Sequence, residues 1–273
     1  MNRKQIALVI LLAAGSLAVG TAASAQSVAA DVHIGPSGRA AVDIGFFSGD
    51  LAPYGRWVDR PAYGRVFVPR IRHAHWRPYT LGHWVWTDYG WTWISDEPFG
   101  WATYHYGRWA EDSDLGWYWV PGTDWGPSWV SWQEGGDYIG WAALPPAVGF
   151  DASVGLQLGG VDLGVAMAPD AYCFVPERRF LDPRISAFIV PPVRNVELFR
   201  TTRNFTNYRV VDNRIFNQGI PATRIQQVVG RPVPQLRVAD LPANSRQRVR
   251  VQGNQVAFFR PAVNSPHGAH HIG

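Results

Sequence analysis

Cysteine is almost missing from this chain of 273 residues: Cys173 is the single one. A lone thiol excludes an intrachain disulfide, so the fold must rest on packing and hydrogen bonds. Its setting, AYCFVP, holds no nearby histidine and predicts a small buried hydrophobe rather than a nucleophile. Lysine is equally scarce: Lys4 is the only one, and every other strong cation is an arginine. The motifs of several enzyme classes are absent. There is no G-x-S-x-G and no H-E-x-x-H, and no glycine loop is followed by Lys and Ser/Thr. His73 and His75 in HAH, with His83 nearby, could set two imidazoles on one strand face, but no third ligand has a defined spacing, so no metal site is predicted. The acids Asp88, Asp96, Glu97, Glu111, Asp112, Asp114, Asp124, Glu134 and Asp137 mostly fall at turns. A glycosidase needs two carboxylates held across a cleft, and their spacing singles out no such pair. No catalytic residue and no cofactor is expected.

Long apolar runs occur only at the start. Residues 1–25 read as a secretory signal: Arg3 and Lys4, then IALVILLAAGSLAV, then the small-residue site Ala23-Ser24-Ala25. The run is shorter than the roughly 20 residues that span a bilayer, and no apolar stretch of that length follows. Cleavage near Ala25 is expected to release a chain of roughly 250 residues into the periplasm, onto the cell surface or into the medium. Gln26, not a cysteine, stands directly after the cleavage site, so a lipid anchor is not expected.

What the chain has in excess is tryptophan. All 14 lie between Trp57 and Trp141. In HWVWTDYGWTWI, Trp84 and Trp86 alternate, as do Trp91 and Trp93, so each pair shares one strand face. Thr87-Asp88-Tyr89-Gly90 supplies turn chemistry between them and predicts Trp86 opposite Trp91 and Trp84 opposite Trp93. WVSWQEGGDYIGW predicts a second hairpin turning at Glu134-Gly135-Gly136-Asp137. The glycine spacing is too uneven for a solenoid. The expected fold is mainly β: a Trp-rich antiparallel meander or small barrel, followed by an Arg-rich β-containing region with a short helix.

The predicted organisation is a flexible or edge-strand lead-in at 26–50, the Trp-rich β domain at 51–148 and a Gly-rich hairpin at 149–169. An Arg-rich C-terminal β/α region at 170–263 and a disordered tail at 264–273 complete it. The 149–169 hairpin alternates Val154, Leu156 and Leu158, turns at Gly159-Gly160 and alternates back. In the C-terminal region PATRIQQVVG predicts a helix ended by Gly230, and RVRVQGNQVAFFRP a hairpin turning at Gly253-Asn254. Charge divides the chain similarly. Residues 26–170 hold eight arginines against sixteen acids; residues 171–273 hold fifteen against five. Such asymmetry predicts either two parts that dock on each other or an outside anionic partner.

The aromatic excess also directs the functional reading. A domain of about 100 residues is not expected to enclose every indole, so some should line a groove. The candidate ligand-binding residues are Trp101, Tyr104, Tyr106, Arg108, Trp109, Trp125 and Trp129. Trp101, Thr103 and His105 alternate against Ala102, Tyr104 and Tyr106, so a strand here would carry aromatics on both faces. Arg108 is the lone arginine between Leu81 and Asp170. Trp125 lies among Gly122, Gly126 and Pro127 on an expected loop. Flat indoles beside polar groups suit sugar rings. Three function classes stay open: an envelope module binding glycan, peptidoglycan or another anionic polymer without catalysis; a structural or assembly protein contacting an envelope protein; and, trailing, an envelope hydrolase. The acidic charge of the Trp-rich part and the export signal oppose nucleic acid.

LAPYGRWVDRPAYGRVFVP, WRPYTLGHWVWTDYGWTWISDEPFGWATYHYGRW, GWYWVPGTDWGPSWVSW and DYIGWAALPP carry a resemblance to an exported, Trp-rich bacterial family of unknown function. Its members are often labelled carbohydrate-binding family V/XII or proline-rich exported proteins, and some are associated with FecR-like domains. Phe67, Gln133 and Ala143 stand where the family pattern has Trp, Arg and Pro. The resemblance implies export and a non-enzymatic envelope role, and it implies no catalytic residues.

Overall fold

The computed structural model describes residues 33–34, 40–43, 45–73, 75–151, 153, 155–157, 167–212, 214–245 and 247–264. The predicted signal, the Gly159-Gly160 turn and residues 265–273 of the tail lie outside them.

β1 (His33–Ile34) and β2 (Ala40–Asp43) precede α1 (Phe46–Leu51). Hairpins then follow one another: β3 (Gly55–Arg60) with β4 (Gly64–Pro69), and β5 (Gly82–Thr87) with β6 (Gly90–Ser95). After the short α2 (Gly100–Thr103) come β7 (Arg108–Asp112) with β8 (Gly116–Val120), β9 (Val130–Gly135) with β10 (Tyr138–Ala143), and the small β11 (Gly149–Asp151) with β12 (Gly155–Gln157). The remainder holds β13 (Cys173–Pro176), α3 (Asn195–Thr201), β14 (Arg203–Asn204), β15 (Tyr208–Val211) and β16 (Arg214–Asn217). It ends with α4 (Ala222–Val229), β17 (Arg237–Asp240), β18 (Val249–Gln252), β19 (Gln255–Phe258) and β20 (Ala262–Asn264).

The protein is mainly β, with antiparallel sheets in the Trp-rich part and a short helix in the C-terminal part, as the sequence predicts. The Trp-rich hairpins do not share one sheet. They are distributed over three four-stranded sheets ordered β3-β4-β8-β7, β15-β16-β6-β5 and β13-β10-β9-β14. Two of the three are completed by C-terminal strands, so the charge-divided halves are parts of one structure. Ion pairs join them as well: Arg214 Nη1 lies 3.0 Å from Asp88 Oδ2 and Arg224 Nε 2.9 Å from Glu134 Oε1, and Arg248 pairs with Asp50.

The Trp84–Trp93 and Trp86–Trp91 pairs stand opposite each other, with ring centroids 4.9 and 5.1 Å apart. Their turn serves tertiary structure too. Thr87 Oγ1 accepts the Tyr89 N–H at 2.9 Å, and Asp88 Oδ1 accepts the Val238 N–H at 2.8 Å. Gly90 has φ +80°, and a Cβ there would stand 1.9 Å from the Asn217 carbonyl oxygen where β16 abuts β6. Only glycine satisfies both the turn and this approach. The second hairpin turns on Gly136 and Asp137, φ 56° and 63°, the pair of left-handed residues that a two-residue loop demands. The helix ending at Gly230 (φ 68°) and the hairpin between Gln252 and Gln255 also form as expected.

The run from Trp101 to Tyr106 is not the expected strand. Gly100–Thr103 is helical, and Tyr104 N–H and Tyr106 N–H donate back to the Gly100 and Ala102 carbonyls at 3.2 and 2.8 Å. A helical turn distributes its side chains all round, and here every direction is core. That resolves the problem of aromatics on both faces of a strand.

One main core holds Trp84, Trp91, Trp93, Trp119, Trp132 and Trp141, closed by Phe47 from α1 and by Phe180, Ile220 and Phe259 from the C-terminal region. Cys173 lies within it and is buried, as its sequence context predicts.

Candidate functional site

The seven residues expected to bind ligand do not form an open face. Trp101, Tyr104, Tyr106, Trp109 and Trp129 are at most 4% exposed. Tyr106 Oη donates to the Pro261 carbonyl at 2.7 Å, Trp109 Nε1 to that of Thr103 at 2.9 Å, and Trp129 Nε1 to that of His105 at 3.0 Å. Trp101 packs on Phe47 and Phe259, with centroids 5.9 and 5.4 Å away. Trp125 is half-buried and stacks on His105 at 5.3 Å, with Phe258 on another side. Arg108 lies 3.8 Å over the Trp129 ring and donates to the carbonyls of Val148 and Gly107 at 2.9 and 2.8 Å. Burial lowers its pKa to about 10. The expectation of a groove assumed that about 100 residues must hide every indole unaided. Instead α1 and the C-terminal region add cover for Trp101, Tyr106, Trp125 and Trp129, and Tyr104 and Trp109 are enclosed by Tyr79 and Trp76.

A different site appears where the segment after β4 crosses the loop after β6. A cleft of about 390 Å³ is lined by Tyr54, Arg70, Ile71, Arg72, His73, Trp76, Leu81, Glu97, Pro98 and Phe99, with Pro53 at its edge. One wall is apolar and partly aromatic. The rim carries two guanidinium groups: Arg70 and Arg72 are exposed, as is the His73 ring. Among the described residues neither guanidinium makes an ion pair or a side-chain hydrogen bond.

Glu97 forms the floor, on the loop between β6 and α2. Ser95 Oγ fixes that loop by accepting the Glu97 N–H at 2.9 Å. Glu97 Oε1 accepts from Trp76 Nε1 at 2.8 Å, and Oε2 accepts from Tyr104 Oη. Burial outweighs these donors and pushes the carboxyl up to about 7. Tyr104 is itself locked: its ring packs on Tyr79, whose hydroxyl donates to the Tyr104 carbonyl at 2.9 Å. A carboxyl poised near neutrality on the floor of a cleft marks a candidate site on physical grounds. Its protonated form can donate a hydrogen bond and its ionised form only accepts.

Sequence reasoning had Glu97 only as one turn acid among nine. The available signal was the run RVFVPRIRH, whose arginines have no acid among them and therefore need partners from elsewhere in the fold or from outside it.

Residues 48–148 match the model of a family of unknown function, DUF6600. The match covers the Trp-rich domain and every cleft residue, so the resemblance to a Trp-rich family of unknown function holds for this segment. No curated protein and no solved structure matches the chain.

Proposed function

We propose that this is an exported cell-envelope protein that binds glycan without transforming it, and that the Glu97 cleft is its binding site. One observation carries the reading: the cleft sets partly exposed apolar surface from Tyr54, Ile71, Leu81 and Pro98 beside the exposed guanidinium groups of Arg70 and Arg72. Sugars offer the matching combination of apolar ring faces and hydroxyl or anionic groups. Placement in the periplasm, on the surface or outside the cell rests on the pattern of residues 1–25. Catalysis has no support in a second carboxylate facing Glu97 across the cleft, since its acidic neighbour, Asp96, belongs to the same loop.

The test uses the processed chain recovered from the periplasm, whose mass also reports cleavage near Ala25. It should be retained on insoluble peptidoglycan or on immobilised polysaccharide. The R70A/R72A double variant and Y54A should lose retention with unchanged circular dichroism. Wild type that passes through every glycan unretained would refute the reading.

A structural or assembly role is favoured by a separate feature, the exposed Val193 (88%) and Val196 (50%) beside Arg194 at the start of α3. If V193D/V196D removes a co-purifying envelope protein and R70A/R72A does not, that role replaces glycan binding.

A further inference from the structure

We infer that the cleft selects sugars bearing a carboxylate, which pairs with Arg70 and Arg72 at the rim while the Glu97 carboxyl faces it from the floor as a hydrogen-bond donor. The inference rests on the glycan reading and names its ligand class.

A guanidinium presents a planar fork that matches a carboxylate through two parallel hydrogen bonds. Two such forks, exposed and without partners among the described residues, stand at one mouth. A neutral sugar would leave both without a counter-charge. The apolar wall of Tyr54, Ile71, Leu81 and Pro98 takes a ring face.

The floor then decides how the anion is received. Both Glu97 oxygens already accept hydrogen bonds, from Trp76 and Tyr104. Asp96, exposed on the same loop, adds negative charge, and Glu97 has no cation within ion-pair distance among the described residues. An ionised Glu97 would repel a ligand carboxylate; a protonated one would donate to it. Binding of the acidic sugar is therefore linked to proton uptake, and it tightens as pH falls through the neutral range.

The other groups around Glu97 separate cleanly. Burial raises the Tyr104 and Tyr79 hydroxyls well above the ordinary phenol range, so both stay protonated. His83, near Asp96, is held down by burial. Imidazoles do gain charge over this interval, so H73N is the control for His73.

The experiment is calorimetric titration of the processed chain with tri-galacturonate and with maltotriose between pH 5.5 and 8, a range in which uronate carboxylates stay ionised. We expect the acidic trisaccharide to bind about tenfold or more tightly than the neutral one. Its affinity should rise about tenfold from pH 8 to pH 6, in wild type and in H73N alike. R70A/R72A should abolish the preference. E97Q, neutral at every pH, should bind with no pH dependence. Equal affinity for the two sugars, a preference surviving in R70A/R72A, or a pH dependence surviving in E97Q each overturns the inference while leaving glycan binding in place. Should E97Q fail to fold, the wild-type and H73N pH series decides alone. If neither sugar binds and peptidoglycan retention also fails, the functional reading falls with it.

Discussion

The indoles of Trp91, Trp109, Trp119, Trp129, Trp132 and Trp141 each donate to a protein oxygen at 2.6 to 3.0 Å, whereas the guanidinium groups of Arg70 and Arg72 donate to none among the described residues. The two regions lie side by side and share Trp76, Phe99 and Glu97 at their boundary. In the core these six indoles are satisfied, although the Nε1 atoms of Trp57, Trp84, Trp93 and Trp125 and single buried atoms of six polar side chains, His83 and Gln133 among them, have no partner among the described residues. At the cleft, charge is left over. The contrast teaches that an abundance of aromatics reports what the fold must bury, and that unmatched polar groups are the better guide to what it can bind.

The largest effect that would test the contrast is at Trp132. Its ring is fully buried, packs 4.6 Å from Trp84, and donates to Asn217 Oδ1 at 2.9 Å. Trp132→Ala should cost about 3–5 kcal/mol in urea unfolding. R70A/R72A should change stability by no more than about 0.5 kcal/mol. If the cleft variant destabilises as much as the core variant, the arginines are structural and the division is false.

Acid should separate the regions next, because their buried titratable groups have opposite signs. Burial holds His105 down to about 4, with its ring against Trp125 and Nδ1 2.9 Å from the Gly126 oxygen. The unfolded chain therefore binds more protons than the native one between about pH 6.5 and 4. Stability should fall as pH drops through that window, by up to about 3 kcal/mol. Glu97, raised to about 7, acts oppositely. Native Glu97 holds its proton more tightly than unfolded Glu97, so its contribution is lost as pH rises from about 4.5 through 7. Unfolding curves of H105Q should lose the acid limb, and those of E97Q the neutral limb. A wild-type profile unchanged by either substitution would show that neither group is buried as described.

A smaller loss is expected at Gly90, where the left-handed backbone and the Asn217 carbonyl both resist a side chain. Gly90→Ala should cost about 1–3 kcal/mol in the same assay. The smallest effect concerns the seam between the acidic and basic parts. A double-mutant cycle on Asp88 and Arg214 should give at most about 1 kcal/mol, fading in high salt.

The parts of the fold that could be read from sequence are those set by local rules. Alternation and turn chemistry predicted the Trp84–Trp93 register, the Gly136-Asp137 turn, the α4 helix and its Gly230 stop, and the last hairpin. The Trp101–Tyr106 run was misread because a short segment with aromatics at every position has no period, and only its neighbours decide between strand and helical turn. The placement of Trp129 was not legible either, since the Tyr208 ring that stacks on it comes from the C-terminal region. For the cleft, the arginines were visible but their juxtaposition with Glu97 was not. The two segments meet through contacts distant in sequence, Trp76 Nε1 to Glu97 and the Phe67 ring against Phe99, which no local pattern encodes.

One pairing bears on how the chain reaches this state. β20, at residues 262–264, runs parallel to β2, at residues 40–43, and Arg248 reaches Asp50. A ribosome releases the N-terminal strand first and its partner last. The sheet that joins them cannot close on any partial chain, and the closing loop is nearly as long as the molecule. β13, β14 and β16 likewise complete sheets begun much earlier. Assembly from such distant pairings is slow. The Trp-rich hairpins emerge well before their cover, so the nascent chain should pass through a stage when its indoles are open to other proteins and to itself.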